Sequence, residues 1–355
     1  MIRMVQIGID HPHAAAYRGT LWALRDRIEV VGFLAREDDT TTRLEGPLAD
    51  VPVFRSLDDL LTATRPDAAQ VMLRNNESGA ALARLAGEGI HLWAEKPEAR
   101  RAADLRAAQA IVNQKGLIFT AGYQSRFYAT TDYARTLVRE GLLGPLTFSH
   151  MTTATTTTRL RNPRGPLGYV FDDAIMGGGI FHWLGCHMVD LLLHIVGERP
   201  TEVTGFIGTV GQEAVAVEDA ASAVLRFPSG WLASLNYGYL LPIQGASPFG
   251  DDAPEPALYG QQGWVRWNSG TDEARAFSND PRWAASPWQH RRFKTPAAEG
   301  YGHAARLAML NFLDAIAGTA EPMYRIEEAI QVLEVIEALY ESARSGGAVK
   351  LEGQG

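Results

Sequence analysis

Over the first third of the chain, short apolar runs alternate with stretches whose apolar residues recur every three to four positions. The runs Met4–Gly8, Glu29–Leu34, Ala68–Leu73, Ile90–Ala94 and Leu117–Ala121 read as buried strands. Between them, Ala14–Leu24, Leu57–Thr64, Ser78–Ala86 and Ala102–Asn113 read as helices, with Gly89 and Gly116 placed where two of them should end. This alternation predicts an α/β fold: an N-terminal Rossmann domain over residues 1–121, built on a doubly wound parallel sheet.

After Gly122 the pattern changes. Tyr133–Glu140 reads as a helix closed by Gly141, and the threonine-rich "TFSHMTTATTTTRL" as a strand with one polar face. "GGGIFHWLGCHMVDLLLHIVG" reads as a buried helix opened and closed by glycines. "AASAVLRFPSGWLASLNYGY" is a hairpin pattern around Pro228-Ser229-Gly230. Residues 242–257 read as a loop, and His303–Ala317 and Ile326–Ser345 as amphipathic helices ended by Gly318 and Gly346. The second domain, residues 122–355, is therefore expected to be α+β with an open, mostly antiparallel sheet.

Composition narrows the function. With 46% hydrophobic and 21% charged residues in 355, the chain has the make-up of a globular protein with sizeable cores. A net charge of −8 and two isolated basic pairs, Arg100–Arg101 and Arg291–Arg292, offer no footprint for nucleic acid. The longest apolar run, Ile180–Val196, is broken by His182, His187, Asp190 and His194, so it reads as core and no membrane partner is expected. One cysteine, Cys186, and no secretory pattern at the start lead to the expectation of a reducing, cytoplasmic setting.

Five motifs stand in order: "AEKP" at 94–97, "AGYQSRF" at 121–127, "GLLGPL" at 141–146, "GGGIFHWLGCHMVD" at 177–190 and "VEDAASAVLRFPSG" at 217–230. As a set they resemble the glucose–fructose oxidoreductase / inositol dehydrogenase / rhizopine catabolism (Gfo/Idh/MocA) family over nearly the whole chain. The resemblance implies an NAD(P)-dependent oxidoreductase acting on a sugar, cyclitol or related polyol or ketone. It also implies a homodimer or homotetramer packed through the C-terminal sheet. It makes Lys96 and His187 the catalytic pair and suggests a cis bond before Pro97. Physically, Lys96 lies at the carboxyl end of a parallel strand, where such folds place ligands, and can hydrogen-bond a substrate hydroxyl. A histidine such as His187 can act as a base near neutral pH. Substrate contacts are expected from Trp183, His182, Asp190, Tyr169 and Arg126. Cofactor contacts are expected from Gly8, Asp10, His11, Pro12, His13, Ala35, Arg36, Leu73, Arg74, Glu95, Lys96 and Gln124.

The chain departs from the family at several points. The aspartate commonly found four residues before the histidine is Trp183 here. In "GIDHPHAAAY" only Gly8 remains of the glycine fingerprint. Asp10 stands where backbone should meet phosphate, and His13 where glycine lets helix approach strand, so weaker nucleotide binding is expected. Ala35-Arg36 replaces the usual acid that binds ribose. Arg36 then favours NADP over NAD, with Glu37 a shifted acid as the alternative. Arg74, in "LRNNES", is a candidate clamp. No recognised metal spacing is present, and no metal ligand is assigned. Two alternatives stay open: a metal-assisted lyase or hydrolase using His11, His13, His182 and His187, and a non-catalytic ligand-binding regulator.

Overall fold

The computed structural model describes residues 1–36, 44, 46–156, 168–211, 215–241 and 255–351. They form two compact units: Met1–Gln124 with Pro296–Ile330, and Ser125–Thr295 with Gln331–Gly355.

The first unit is a Rossmann sheet. Strands β1 (Ile2–Ile7), β2 (Ile28–Leu34), β3 (Val53–Phe54), β4 (Ala68–Val71), β5 (His91–Ala94) and β6 (Phe119–Ala121) run parallel in the order β3-β2-β1-β4-β5-β6. Helices α1 (Ala14–Ala23), α2 (Leu57–Thr64), α3 (Asn75–Gly87) and α4 (Ala102–Lys115) make the connections. β4 and the last three residues of β5 are buried throughout, as a sheet covered on both faces requires. The order reverses between β1 and β4, and ligands of doubly wound folds bind at that switch point, beyond the carboxyl ends of the strands.

The structure revises the expected boundaries. Residues 296–330, assigned from sequence to the second domain, belong to the first unit. The reason is aromatic packing. Phe312 of α8 (His303–Ile316) meets Trp93 of β5 edge-on at 5.9 Å, Tyr301 meets Tyr17 at 4.9 Å, and Tyr324 lies 5.1 Å from Tyr123.

In the second unit, nine strands are described. They are β7 (Leu146–Thr156), β8 (Glu202–Gly208), β9 (Ala220–Arg226), β10 (Leu232–Leu241), β11 (Ala257–Gly260), β12 (Gly263–Asn268), β13 (Glu273–Ser278), β14 (Trp288–Arg292) and β15 (Val349–Lys350). Their order is β14-β13-β12-β11-β7-β10-β9-β8-β15, antiparallel except for β10 against β7. The expected hairpin is β9–β10, with Leu232 opposite Arg226 and Gly230 at φ +91° in its turn. β9 alternates buried and exposed positions, so Ala221, Ala223 and Leu225 face the core. Helices α5 (Ala129–Arg139), α6 (Asp173–Met176), α7 (Cys186–Val196) and most of α9 (Ile326–Ser345) complete this unit.

Among the described residues, the stretch Asp173–Val196 is apolar and long enough to cross a bilayer. Its most apolar 18-residue window is two-thirds buried, and the stretch holds the fully buried Asp190, as in a core helix.

Candidate active site

The turn after β1 is where the sequence departs most from a glycine-rich loop. Gly8 is at φ +88°, and a Cβ there would lie 2.2 Å from the Met72 carbonyl oxygen, so no other residue fits. Asp10 is exposed. His11 is buried, and its Nδ1 accepts the His13 N–H at 3.2 Å; Pro12 between them is half-buried. His13, at the third glycine position, turns its ring to Glu95: Nδ1 lies 2.8 Å from Oε1. The rings of His11 and Tyr301 stand 5.2 and 5.0 Å from it. The turn is thereby coupled to the end of β5.

Glu95 is 4% exposed. Burial pushes its carboxyl up, but the charge and hydrogen bond of His13, then the charges of His11 and Lys96, outweigh that and hold it below its ordinary value. Lys96 follows, 2% exposed, with a cis peptide to Pro97 as the resemblance suggested. The turn is fastened by a residue that sequence reasoning passed over. Asn75, first residue of α3 and buried, donates from Nδ2 to the Pro97 carbonyl at 2.9 Å and the Ala99 carbonyl at 3.3 Å. Its neighbours Leu73 and Arg74 are half-buried, Arg74 capping α3 through its backbone. Buried Glu98 accepts the Tyr324 hydroxyl at 2.8 Å, tying the same turn to the returning segment. Gln124 is half-buried at the end of the unit.

At the end of β2, Ala35 is buried and Arg36 half-buried. The Arg36 guanidinium is paired with Glu77 of α3. The ribose-end cation foreseen from sequence thus already holds a carboxylate. Glu37 lies outside the described residues.

A cavity of about 690 Å³ in this unit contains none of these residues. It is lined by the end of α4, the start of β6 and residues 318–327, at the amino-terminal edge of the sheet.

The second unit holds the other expected residues on one helical stretch. Phe181–Gly185 forms a π turn leading into α7. Such turns are rare and cluster at functional sites. His182 (1% exposed) and Trp183 (2%) are buried. Cys186 is buried and His187 half-buried. Tyr169 is half-buried in a short 3-10 turn.

Asp190 and Arg126, both expected to bind substrate, pair with each other. Arg126 Nε lies 3.0 and 3.1 Å from the two Asp190 oxygens and Nη2 lies 2.5 Å from Oδ1, with both side chains at most 2% exposed. Burial, together with the charges of Arg126 and Arg135, pushes His194 down to about 2, so it stays neutral.

A second missed group anchors the π turn. The Glu218 carboxylate accepts the N–H of Gly179 at 2.7 Å, the N–H of Phe181 at 3.0 Å and the Tyr340 hydroxyl at 2.7 Å. A Cβ on Gly179 would lie 2.1 Å from the Glu218 carbonyl oxygen, which explains this glycine.

A Rossmann sheet carrying a buried lysine at a strand end, joined to a unit with an open sheet, is the architecture of two-domain nicotinamide oxidoreductases. Residues 2–123 match the profile of an oxidoreductase family with an NAD-binding Rossmann fold, and residues 131–266 match the GFO/IDH/MocA C-terminal domain. The chain belongs to the Gfo/Idh/MocA family. It is 28% identical to 2,7-anhydro-N-acetylneuraminate hydratase of Escherichia coli over 52% of this chain, a match spanning about half (48%) of that relative's length. It is 24% identical to D-xylose 1-dehydrogenase (NADP(+)) 2 of Haloferax volcanii over 91% of this chain and 92% of that one. A levoglucosan dehydrogenase solved with NADH and levoglucosan shares the fold at a TM-score of 0.83, with 18% identity over 99% of this chain and all of the other.

Proposed function

We propose that this protein is an NAD(P)-dependent oxidoreductase that interconverts a secondary alcohol and a ketone, or a lactol and a lactone, on a sugar, cyclitol or related polyol. The observation that carries the reading is Lys96. It is a lysine 2% exposed, beyond the carboxyl end of a central parallel strand, beside an ionised Glu95 and on a turn fastened by Asn75. The family membership and the sugar and polyol dehydrogenases among the relatives support it.

The nicotinamide fits the first unit on one count that the structure itself provides. The Gly8 turn has no room for a Cβ, which is the requirement of the first fingerprint glycine. Residues at the ends of β1, β2 and β4, with Gly8, Ala35, Arg36 and Leu73 among them, would hold the dinucleotide. When bound, the cofactor supplies the hydride acceptor or donor. Lys96 Nζ hydrogen-bonds the reacting oxygen and carries its proton. His187 is assigned the companion role in proton handling, on the resemblance alone.

The preference for NADP rests on Arg36 and requires its pair with Glu77 to open toward a 2′-phosphate. A second copy of the chain is the proposed partner of the open sheet. Phe206 (80% exposed), Phe148 (41%) and Val224 (36%) share one face of it through the cross-strand pairing. Light scattering of Phe206→Asp should then show a smaller assembly than the parent.

The function is tested by recording absorbance of the reduced cofactor with NAD⁺ or NADP⁺ across aldoses, cyclitols and anhydrosugars. Turnover of one class with either nucleotide supports the reading. A chain that binds neither nucleotide refutes it.

A further inference from the structure

Among the described residues, one group of three or more metal-ligating side chains converges: His11, His13 and Glu95, each offering an atom within 4.8 Å of the others. Two come from the turn after β1 and the third from the end of β5, so topology alone assembles them. We propose that this trio is a binding site for a divalent transition-metal ion, of the zinc or cobalt kind, built into the turn where the family has glycines. Two imidazoles and one carboxylate form a mixed nitrogen–oxygen set that favours such ions over magnesium or calcium.

The surroundings support a site more than a lone ion pair. Glu95 is 4% exposed, and only its Oε1 engages His13. Its buried Oε2 has no hydrogen-bond partner among the described residues. A buried carboxylate oxygen in that state calls for a cation or a donor. A Cβ on Gly122 would lie 3.0 Å from Oε2, so the glycine keeps that side open. The Tyr301 ring lies 5.0 Å from His13 and 4.9 Å from Tyr17. His11, whose Nδ1 accepts the His13 N–H at 3.2 Å, brings a third ligand atom to the His13–Glu95 pair. A cation here would also offset the exposed Asp10 at the turn where a dinucleotide's pyrophosphate approaches, a role independent of which alcohol is oxidised.

The test uses the full chain after chelation and dialysis. Zn²⁺ is titrated by calorimetry and Co²⁺ by its visible absorption, with Mg²⁺ as the control ion. The expected result is one Zn²⁺ or Co²⁺ per chain and no comparable uptake of Mg²⁺. His11→Ala leaves the His13–Glu95 pair intact, yet should weaken Zn²⁺ by at least about 100-fold, since even outer-sphere partners of a metal are worth ~10–100-fold. Glu95→Gln should do the same, with circular dichroism confirming the fold. Absence of stoichiometric Zn²⁺ and Co²⁺ uptake by the parent overturns the proposal. So does His11→Ala binding Zn²⁺ as tightly as the parent.

Discussion

Asp190→Asn should lower the stability of the second unit sharply and leave substrate affinity nearly untouched. Asp190 and Arg126 exchange three contacts of 2.5–3.1 Å with at most 2% of either side chain exposed. Removing one partner strands the other charge away from water, which typically costs about 3–5 kcal/mol. For a unit of this size each kcal/mol moves the melting temperature by about 2–4 °C, so a fall of roughly 6–20 °C is expected. The double variant Arg126→Met/Asp190→Leu removes both charges into an apolar setting and should recover most of that loss. The assay is thermal unfolding followed by circular dichroism, with KM measured on the same samples. A melting temperature equal to the parent's together with a raised KM would show that the pair serves the substrate and that the structural role is wrong.

Three further outcomes follow from the same geometry. Glu77→Gln should release Arg36 and raise affinity for NADP⁺ relative to NAD⁺ in fluorescence titration; an unchanged ratio would remove Arg36 from cofactor choice. Asn75→Ala leaves the Pro97 and Ala99 carbonyls without their side-chain donor, so turnover should fall with about 1–3 kcal/mol of stability lost, whereas a silent variant would show that the Lys96 turn holds itself. Burial pushes the Glu218 carboxyl up, more than the Tyr340 hydroxyl and backbone N–H groups pull it down. Its folded state therefore favours the protonated form. That contribution is present below the ordinary glutamate range and is lost as pH rises through the elevated value. Melting curves of Glu218→Gln across that window should lack this part of the pH dependence, and an identical profile in parent and variant would contradict it.

The first unit was legible because its signals are local. Buried parallel strands appear as unbroken apolar runs, and Gly89 and Gly116 do end their helices, at φ +81° and +63°. Helix α2 matches its expected range residue for residue. β3 was missed because two residues carry no period, β11 because it is only four residues long, and β12–β14 because their short segments place charged residues among the apolar ones. The return of residues 296–330 to the first unit depends on ring contacts such as Trp93–Phe312, which periodicity does not encode. The site divides along the same line. Lys96 and the cis bond came from a motif at one place in the chain. The His13–Glu95 contact spans 82 residues, the Arg126–Asp190 pair 64 and the Glu218–Tyr340 bond 122, so none is visible as a spacing. The Arg126–Asp190 case is the instructive one. Two charged residues in family motifs looked like substrate ligands, and only their mutual geometry shows that each neutralises the other.

The central claim is that Lys96 carries the proton of a nicotinamide-dependent oxidation. The direct measurement is the initial rate of reduced-cofactor formation at saturating nucleotide, on the substrate class the parent turns over, for parent and Lys96→Ala. Nucleotide affinity is determined in parallel. The account expects a fall of about 10²–10⁴-fold in kcat with nucleotide affinity retained. A Lys96→Ala enzyme that turns over at the parent's rate would contradict it.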